Sequence, residues 1–222
     1  MLDAIGDFLP AAVGVAVSPF PIIAIVLVLN SSRASANGIA FAFGWVAGLS
    51  AATAIVILLT DGTDDPTSDT STVVAWVKVA IGIALLWLAG QKWRTRPLED
   101  DVPTMPRWMA SLDGIHPPRA LMLGAVLAGA NPKNLAFTFA AASSIAAFGL
   151  TGADAAITGG VYVAVASSTV LSALLAHLVA GPRSEAPLET VKGFMLANNQ
   201  VIIMVILLVL GATVLGDGLA SI

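Results

Sequence analysis

The sequence has no cysteine and few charged residues. None of its 222 residues is cysteine, and only 11% are charged. The first absence excludes disulfide bonds, thiol redox chemistry and thiolate metal sites. The second argues against an ordinary soluble domain, in which about 25% of residues are charged. Because 57% of the residues are hydrophobic, the chain is predicted to be an integral membrane protein.

The groups that usually couple transport or carry catalysis are also missing. No Asp or Glu lies well inside an apolar run, although such a carboxylate commonly couples transport to protons or cations. The sequence lacks a Ser/His/Asp set, a His/Glu cluster, a Walker loop and a dinucleotide fingerprint. These absences disfavour a cation exchanger, a metal pump and an ATP-driven role. We therefore expect no enzyme activity, no cofactor, no metal and no nucleic-acid partner.

Apolar runs cover residues 8–29, 38–60, 73–91, 119–148, 155–180 and 198–216. Each is long enough to cross about 30 Å of hydrocarbon as a helix rising about 1.5 Å per residue. The breaks at 30–37, 61–72, 149–154 and 181–197 are short, which favours antiparallel neighbours. The break at 92–118 is longer and rich in proline and charge. The sequence predicts an all-α protein with six transmembrane helices.

Basic residues are concentrated in every second break, and cytoplasmic loops collect Lys and Arg. They are Arg33 in the first break, Lys92, Arg94, Arg96, Arg107 and Arg119 in or beside the third, and Arg183 and Lys192 in the fifth. Both chain ends are therefore predicted outside the cytoplasm. Because three spans precede the long break and three follow it, the halves are inverted. We predict one membrane domain with repeats at 1–91 and 119–222 and a cytoplasmic linker at 92–118.

Prolines interrupt the first and fourth spans near their midpoints, in Ser18-Pro19-Phe20-Pro21 and Asn131-Pro132-Lys133-Asn134. Proline breaks a helix and is favoured at the start of a new one, with Ser or Asn as its cap. Each span should thus be two half-helices, and a helix N-terminus near mid-membrane attracts anions. Interrupted helices in matching positions of inverted repeats are typical of transporters. The alternative is that these prolines only kink packed helices.

Lys133 adds a full positive charge at the second break, 14 residues from Arg119. A lysine near the midplane costs about 3 kcal/mol or more, which favours its retention for a site. Span 5 carries a polar stripe that either lines a path or bonds back to its own helix. We predict an anion-binding site formed by Ser18, Pro19, Phe20, Pro21, Asn131, Pro132, Lys133, Asn134, Tyr162, Ser167 and Ser168.

Small residues recur four apart in Gly44-Trp45-Val46-Ala47-Gly48. This spacing lets the backbones of two membrane helices approach closely. It predicts tight packing, either inside the fold or at the seam of a homodimer.

The chain resembles the LysE superfamily of small exporters. The resemblance rests on the proline pair in span 1, on Asn131-Pro132-Lys133 in span 4 and on residues 77–90 in span 3. The length, Ser18-Pro19-Phe20-Pro21 and the acidic outer loop are most similar to the GAP/Sap family, which addresses peptidoglycolipids and sulfolipids to the cell surface. The resemblance covers nearly the whole chain. It implies a multi-pass protein of the bacterial plasma (inner) membrane that exports an anionic lipid or glycolipid.

Two other functions stay open at this point. One is an exporter of a small polar metabolite such as an amino acid, although amino-acid exporters of the superfamily carry Gly-Pro-Gly-Pro where this chain has the bulky Phe20. The other is a non-transporting scaffold that couples lipid synthesis to export. The expected partners are a lipid or glycolipid substrate, the bilayer, a second copy of the chain, and lipid-synthesis or export machinery.

Overall fold

The computed structural model describes residues 1–60, 69–94 and 114–220. These residues are helical almost throughout, and no strand occurs among them. The helices are α1 (Leu2–Ala16), α2 (Pro19–Leu29), α3 (Ala34–Thr60), α4 (Asp69–Arg94), α5 (Pro117–Gly129), α6 (Pro132–Ala147), α7 (Gly152–Ala180), α8 (Glu185–Ala197) and α9 (Asn199–Ala220). The all-α prediction is confirmed. Most of the predicted linker at 92–118, and most of the break at 61–72, lie outside the described residues.

All six apolar runs are helical, and the first and fourth are each divided in two. Among the described residues, the segments Ala34–Leu58, Gly152–Ala197 and Asn199–Ala220 are long and apolar enough to cross a membrane. The bent pair α1 and α2 counts as a fourth candidate when taken as one span. α5 has 13 residues and α6 has 16, so neither alone crosses about 30 Å of hydrocarbon. The chain is an all-helical membrane protein with three to four candidate spans.

The polar segment 181–197, which the sequence places between two spans, is itself mostly helical. A short 3-10 turn at Gly181–Ser184 leads into α8. Leu188 of α8 is buried while Val191 and Phe194 are exposed, and Lys192 pairs with Glu189 at 2.6 Å. A helix with both charged and exposed apolar side chains suits the membrane interface. The sequence did not predict this helix, because charged residues interrupt its apolar residues.

The centre of the molecule is α2. It is buried at nearly every position and contacts α3, α7 and α8. A helix that is apolar on all sides suits a position enclosed by other helices. The largest fully buried side chains include Trp45, Tyr162, Phe8, Phe41 and Phe137. Because α2 starts at Pro19, the first proline break lies against this core.

The backbones of α3 and α5 approach each other closely at glycines. A Cβ atom added at Gly44 would lie 2.0 Å from the carbonyl oxygen of Leu121, and one at Gly124 would lie 2.2 Å from that of Phe41. At Gly48 the distance to the Ala125 carbonyl oxygen would be 2.6 Å. No side chain fits such gaps without moving a helix. The predicted tight packing at Gly44 and Gly48 is confirmed, and it lies inside the fold.

Candidate functional site

Both proline motifs break their helices. α1 ends at Ala16 and α2 begins at Pro19, and the two helix axes differ by 48°. α5 ends at Gly129 and α6 begins at Pro132. The residue before each proline is extended, with ψ of 121° at Ser18 and 119° at Asn131. A proline ring disfavours the helical conformation in the residue before it, so the sequence itself sets both break points.

The two residues that precede the prolines behave differently. The side chain of Asn131 caps α6, since its Oδ1 accepts from the Lys133 amide at 3.0 Å. Ser18 occupies the corresponding position but makes no side-chain cap bond. Its hydroxyl instead donates back to the Gly14 carbonyl at 3.4 Å. The predicted side-chain cap is therefore present at Asn131 and wrong at Ser18, where Pro21 removes one of the two amides that a cap uses.

Lys133 connects the two helix breaks, and the group of contacts around its ammonium is called the junction below. Its ammonium nitrogen donates to the Gly14 carbonyl oxygen at 3.2 Å and also to the Ser18 hydroxyl. It stands 5.5 Å from the centroid of the Phe137 ring, a distance that allows a cation–π attraction. The side chain is half-buried. The single formal charge at the second break thus rests on the carbonyl end of α1, where the helix dipole is negative.

The prolines limit what the backbone of α2 can offer an anion. Pro19 and Pro21 have no N–H, and the Ile22 amide donates to the Ser18 carbonyl at 3.4 Å. Phe20 is therefore the one residue of 19–21 with an amide donor. The ammonium group at the junction, rather than this helix end, is the main source of positive charge.

The buried side chain of Asn134 forms hydrogen bonds across the second helix break. Its Nδ2 donates to the Leu127 carbonyl at 2.9 Å and to the Ala128 carbonyl at 3.5 Å. These carbonyls belong to the last turn of α5, which has no helical partner for them. The side chain is fully buried, and its Oδ1 has no hydrogen-bond partner among the described residues. A buried amide that bridges the gap holds the end of α5 beside the start of α6.

The predicted residues of α7 divide between two environments. The Tyr162 hydroxyl lies 3.1 Å from the Thr138 hydroxyl of α6, and its ring packs edge-on against Phe8 at 5.8 Å between centroids. Ser167 is buried, and its hydroxyl is unpaired in the part of the chain that the structure describes. Ser168 is exposed. The structure therefore brings Tyr162 to α6, places Ser167 in the interior and leaves Ser168 on the outer surface.

Several residues at the junction were not predicted. Gly14 supplies the carbonyl that accepts from Lys133, and Phe137 supplies the ring beside the ammonium. The Thr169 hydroxyl donates to the Ala16 carbonyl at 2.5 Å, so α7 also satisfies the end of α1. A glycine one turn before the Ser-Pro pair was the available signal for Gly14. A backbone carbonyl has no other signature in a sequence.

A cleft of about 200 Å³ lies between α1, α6 and α9. Its walls are mainly apolar, and none of the predicted site residues lines it. It meets the junction through two residues, Gly14 and Phe137, which line the cleft and also contact Lys133. The sequence did not predict this cleft, because its walls come from three separate helices.

The comparisons with known proteins identify the family of the chain. A family model described as Sap, sulfolipid-1-addressing protein (SfLAP), matches residues 8–220. Neither the curated proteins nor the solved structures give a match. The match covers both helix breaks. It confirms the predicted GAP/Sap family, whereas membership of the wider LysE superfamily stays a prediction. The chain belongs to the SfLAP family of sulfolipid-addressing membrane proteins.

Proposed function

We propose that the protein is an exporter or flippase-like carrier for an anionic lipid or glycolipid, whose head group binds between the two helix breaks. The observation that carries the proposal is the Lys133 ammonium group, which reaches from the second break to Gly14 and Ser18 at the first. A family named for addressing a sulfolipid supports an anionic lipid as the substrate. The protein binds and moves this lipid without covalent chemistry.

The contacts of Lys133 give the carrier a resting state. Without substrate, the ammonium donates hydrogen bonds to a carbonyl and a hydroxyl of the first break. A sulfate, phosphate or carboxylate group attracts it more strongly than these neutral acceptors do, because charge-assisted bonds are the stronger class. Binding of the head group would release the tie between the breaks. The two half-helix pairs can then rock against each other, which is the motion of alternating access in inverted-repeat carriers.

A six-span inverted repeat is part of the proposal, and the helix contacts support it. Exchanging α1, α2, α3 and α4 with α5, α6, α7 and α9 leaves much of the packing unchanged. α3 packs on α5 as α7 packs on α1, α2 on α3 as α6 on α7, and α2 on α7 as α6 on α3. The two helices left over, α4 and α9, pack on each other. Such pairing is expected for two halves related by a pseudo-two-fold axis.

Single cysteines test the span number and the orientation, because the chain has none of its own. We expect a membrane-impermeant maleimide on intact cells to label Thr151→Cys, whereas Gly114→Cys and Arg183→Cys react only after permeabilisation. Gly114 decides the span number, since it lies between α4 and α5. If α4 and the pair α5–α6 did not cross the membrane, Gly114 would lie on the same side as Thr151. Labelling of both residues from outside would therefore overturn the six-span arrangement.

Reconstituted protein tests the substrate. In phosphatidylcholine liposomes with a trace of fluorescent phosphatidylglycerol, the wild-type protein should expose inner-leaflet label to dithionite. The protected fluorescence then falls below that of protein-free vesicles. Fluorescent phosphatidylcholine should move more slowly, because its head group has no net charge for Lys133 to hold.

Two other results, obtained alongside the liposome experiment, would favour the other functions. Uptake of amino acids by inside-out vesicles, without movement of the lipid, would identify a small-metabolite exporter. Movement of neither substrate, together with co-purification of a lipid synthase through residues 92–118, would identify a scaffold. Either result would contradict the proposed carrier.

We further propose that the protein works in the bacterial plasma membrane as a homodimer, beside lipid-synthesis or export machinery. The face of α4 supports an apolar contact, since Trp76, Ile83 and Trp87 are all more than half exposed. Aromatic side chains of this kind are also suited to the membrane interface.

A further inference from the structure

The walls of the cleft between α1, α6 and α9 suit hydrocarbon. They include Val13 of α1, Ala140 of α6, and Val205 and Val209 of α9. α9 is apolar and long enough to cross a membrane, so we expect hydrocarbon rather than water beside the apolar part of the cleft. A polar ligand would leave its hydrogen-bonding groups unsatisfied against such walls.

The cleft adjoins the proposed head-group site at two shared residues, Gly14 and Phe137. The Gly14 carbonyl accepts from Lys133, and the backbone of the same residue lines the cleft. The Phe137 ring is the other shared wall, beside the ammonium on one side and the cleft on the other. A Cβ atom at Gly14 would lie 2.6 Å from the tip of this ring. Gly14 and Phe137 are therefore the wall that the cleft and the head-group site share.

The charges along the cleft give it a direction. Lys133 stands at the Gly14 end, whereas Asp7 lines the cleft seven residues earlier in α1, about 10 Å away along the helix. The Asp7 carboxylate accepts from the Ser144 hydroxyl of α6 at 2.6 Å. Asp217 of α9 also lines the cleft. An anionic head group is attracted at one end and repelled by the carboxylates.

We propose that this cleft holds one acyl chain of the lipid whose head group binds Lys133, with the chain lying along α1 from Gly14 toward Asp7. The inference rests on the proposed function and adds to it a place for the lipid tail. It also explains how an anionic lipid is recognised as an amphiphile. Lys133 selects the charge, and the α1–α6–α9 cleft selects a hydrocarbon chain attached to it.

Photo-crosslinking of a lipid chain, with and without a side chain that fills the cleft, tests the proposal. The probe is phosphatidylglycerol with a diazirine in mid-chain, incorporated into liposomes with the purified protein, irradiated and mapped by mass spectrometry. We expect adducts on α1 and α9 residues of the cleft, and several-fold fewer of them in Val209→Trp, because indole occupies the space. Leu208→Trp is the matched control, since Leu208 is its neighbour, is 49% exposed and lies outside the cleft lining.

A comparison of two lipid head groups separates this inference from the proposed function. Phosphatidylcholine with the same photoreactive chain should give fewer adducts in the wild type, and Lys133→Met should remove that preference while chain adducts persist. If phosphatidylglycerol is transported but its adducts spread evenly over lipid-facing residues such as Leu208, the tail site is wrong and the carrier stands. If cleft adducts form with no preference between the two lipids and neither is transported, the carrier itself is overturned. Thermal midpoints of both tryptophan variants that equal the wild-type value show that neither result reflects misfolding.

Discussion

Replacing Lys133 by methionine is expected to lower the transport rate of an anionic lipid by about 10- to 100-fold, while the protein still folds and inserts. Hydrogen bonds to charged groups contribute about 1.5–3 kcal/mol, and each 1.4 kcal/mol is a tenfold change in affinity. Lys133 is the charged group that contacts both breaks. The measurement is the loss of dithionite-protected phosphatidylglycerol fluorescence from liposomes.

Folding should survive this substitution for a structural reason. Methionine keeps most of the length of the lysine stem, and the Gly14 carbonyl retains the Ser18 hydroxyl as a donor. No buried acceptor is therefore left unpaired, which is the usual cause of a large loss of stability. Size-exclusion chromatography and the thermal midpoint of the purified variant check this expectation.

Two further variants sharpen the result. Lys133→Arg keeps the charge and should retain part of the activity, although its planar guanidinium is a poor match for contacts made by an ammonium. Lys192→Met removes a lysine that pairs with Glu189 in α8, away from the breaks, and should leave transport unchanged. Normal transport by Lys133→Met, or an equal loss in Lys192→Met, would remove Lys133 from the mechanism.

The helices and their breaks follow from the sequence because local rules decide them. A run of apolar residues long enough for the bilayer can satisfy its backbone only as a helix. Pro19 and Pro132 then fix where two of these helices are interrupted, since proline has no amide and restricts the residue before it. α8 was not predicted because Glu185, Glu189 and Lys192 interrupt its apolar residues.

The composition of the site depends on packing that no local rule supplies. Ser167 and Ser168 are adjacent, yet one is buried and the other exposed, because successive residues on a helix point about 100° apart. α7 is apolar on most sides, so its sequence does not reveal which face turns inward. One of the two hydrogen-bond partners of Lys133 is a backbone carbonyl 119 positions away, and no side chain marks it. The cleft beside it exists only where three separate helices meet.

Replacing Gly44 by alanine is expected to destabilise the protein by about 2 kcal/mol or more, because overpacking a tight contact typically costs about 1–3 kcal/mol. The added methyl group would lie 2.0 Å from the Leu121 carbonyl oxygen, and backbone cannot move aside as a flexible side chain does. α3 and α5 must therefore separate. α5 ends at Gly129, just before the break that carries Lys133, so transport should fall as well as stability.

Gly160→Ala is the matched control for this prediction. It makes the same chemical change within α7, but a Cβ atom there meets nothing within 4 Å. Alanine should stabilise that helix by about 0.5–1 kcal/mol, because glycine loses more conformational entropy on folding. Thermal unfolding in detergent, followed by the fraction that stays monodisperse, should therefore shift down for Gly44→Ala and not for Gly160→Ala. Equal midpoints would mean that α3 and α5 do not approach as closely as described, and the placement of Lys133 in the first turn of α6, just after α5, would lose its support.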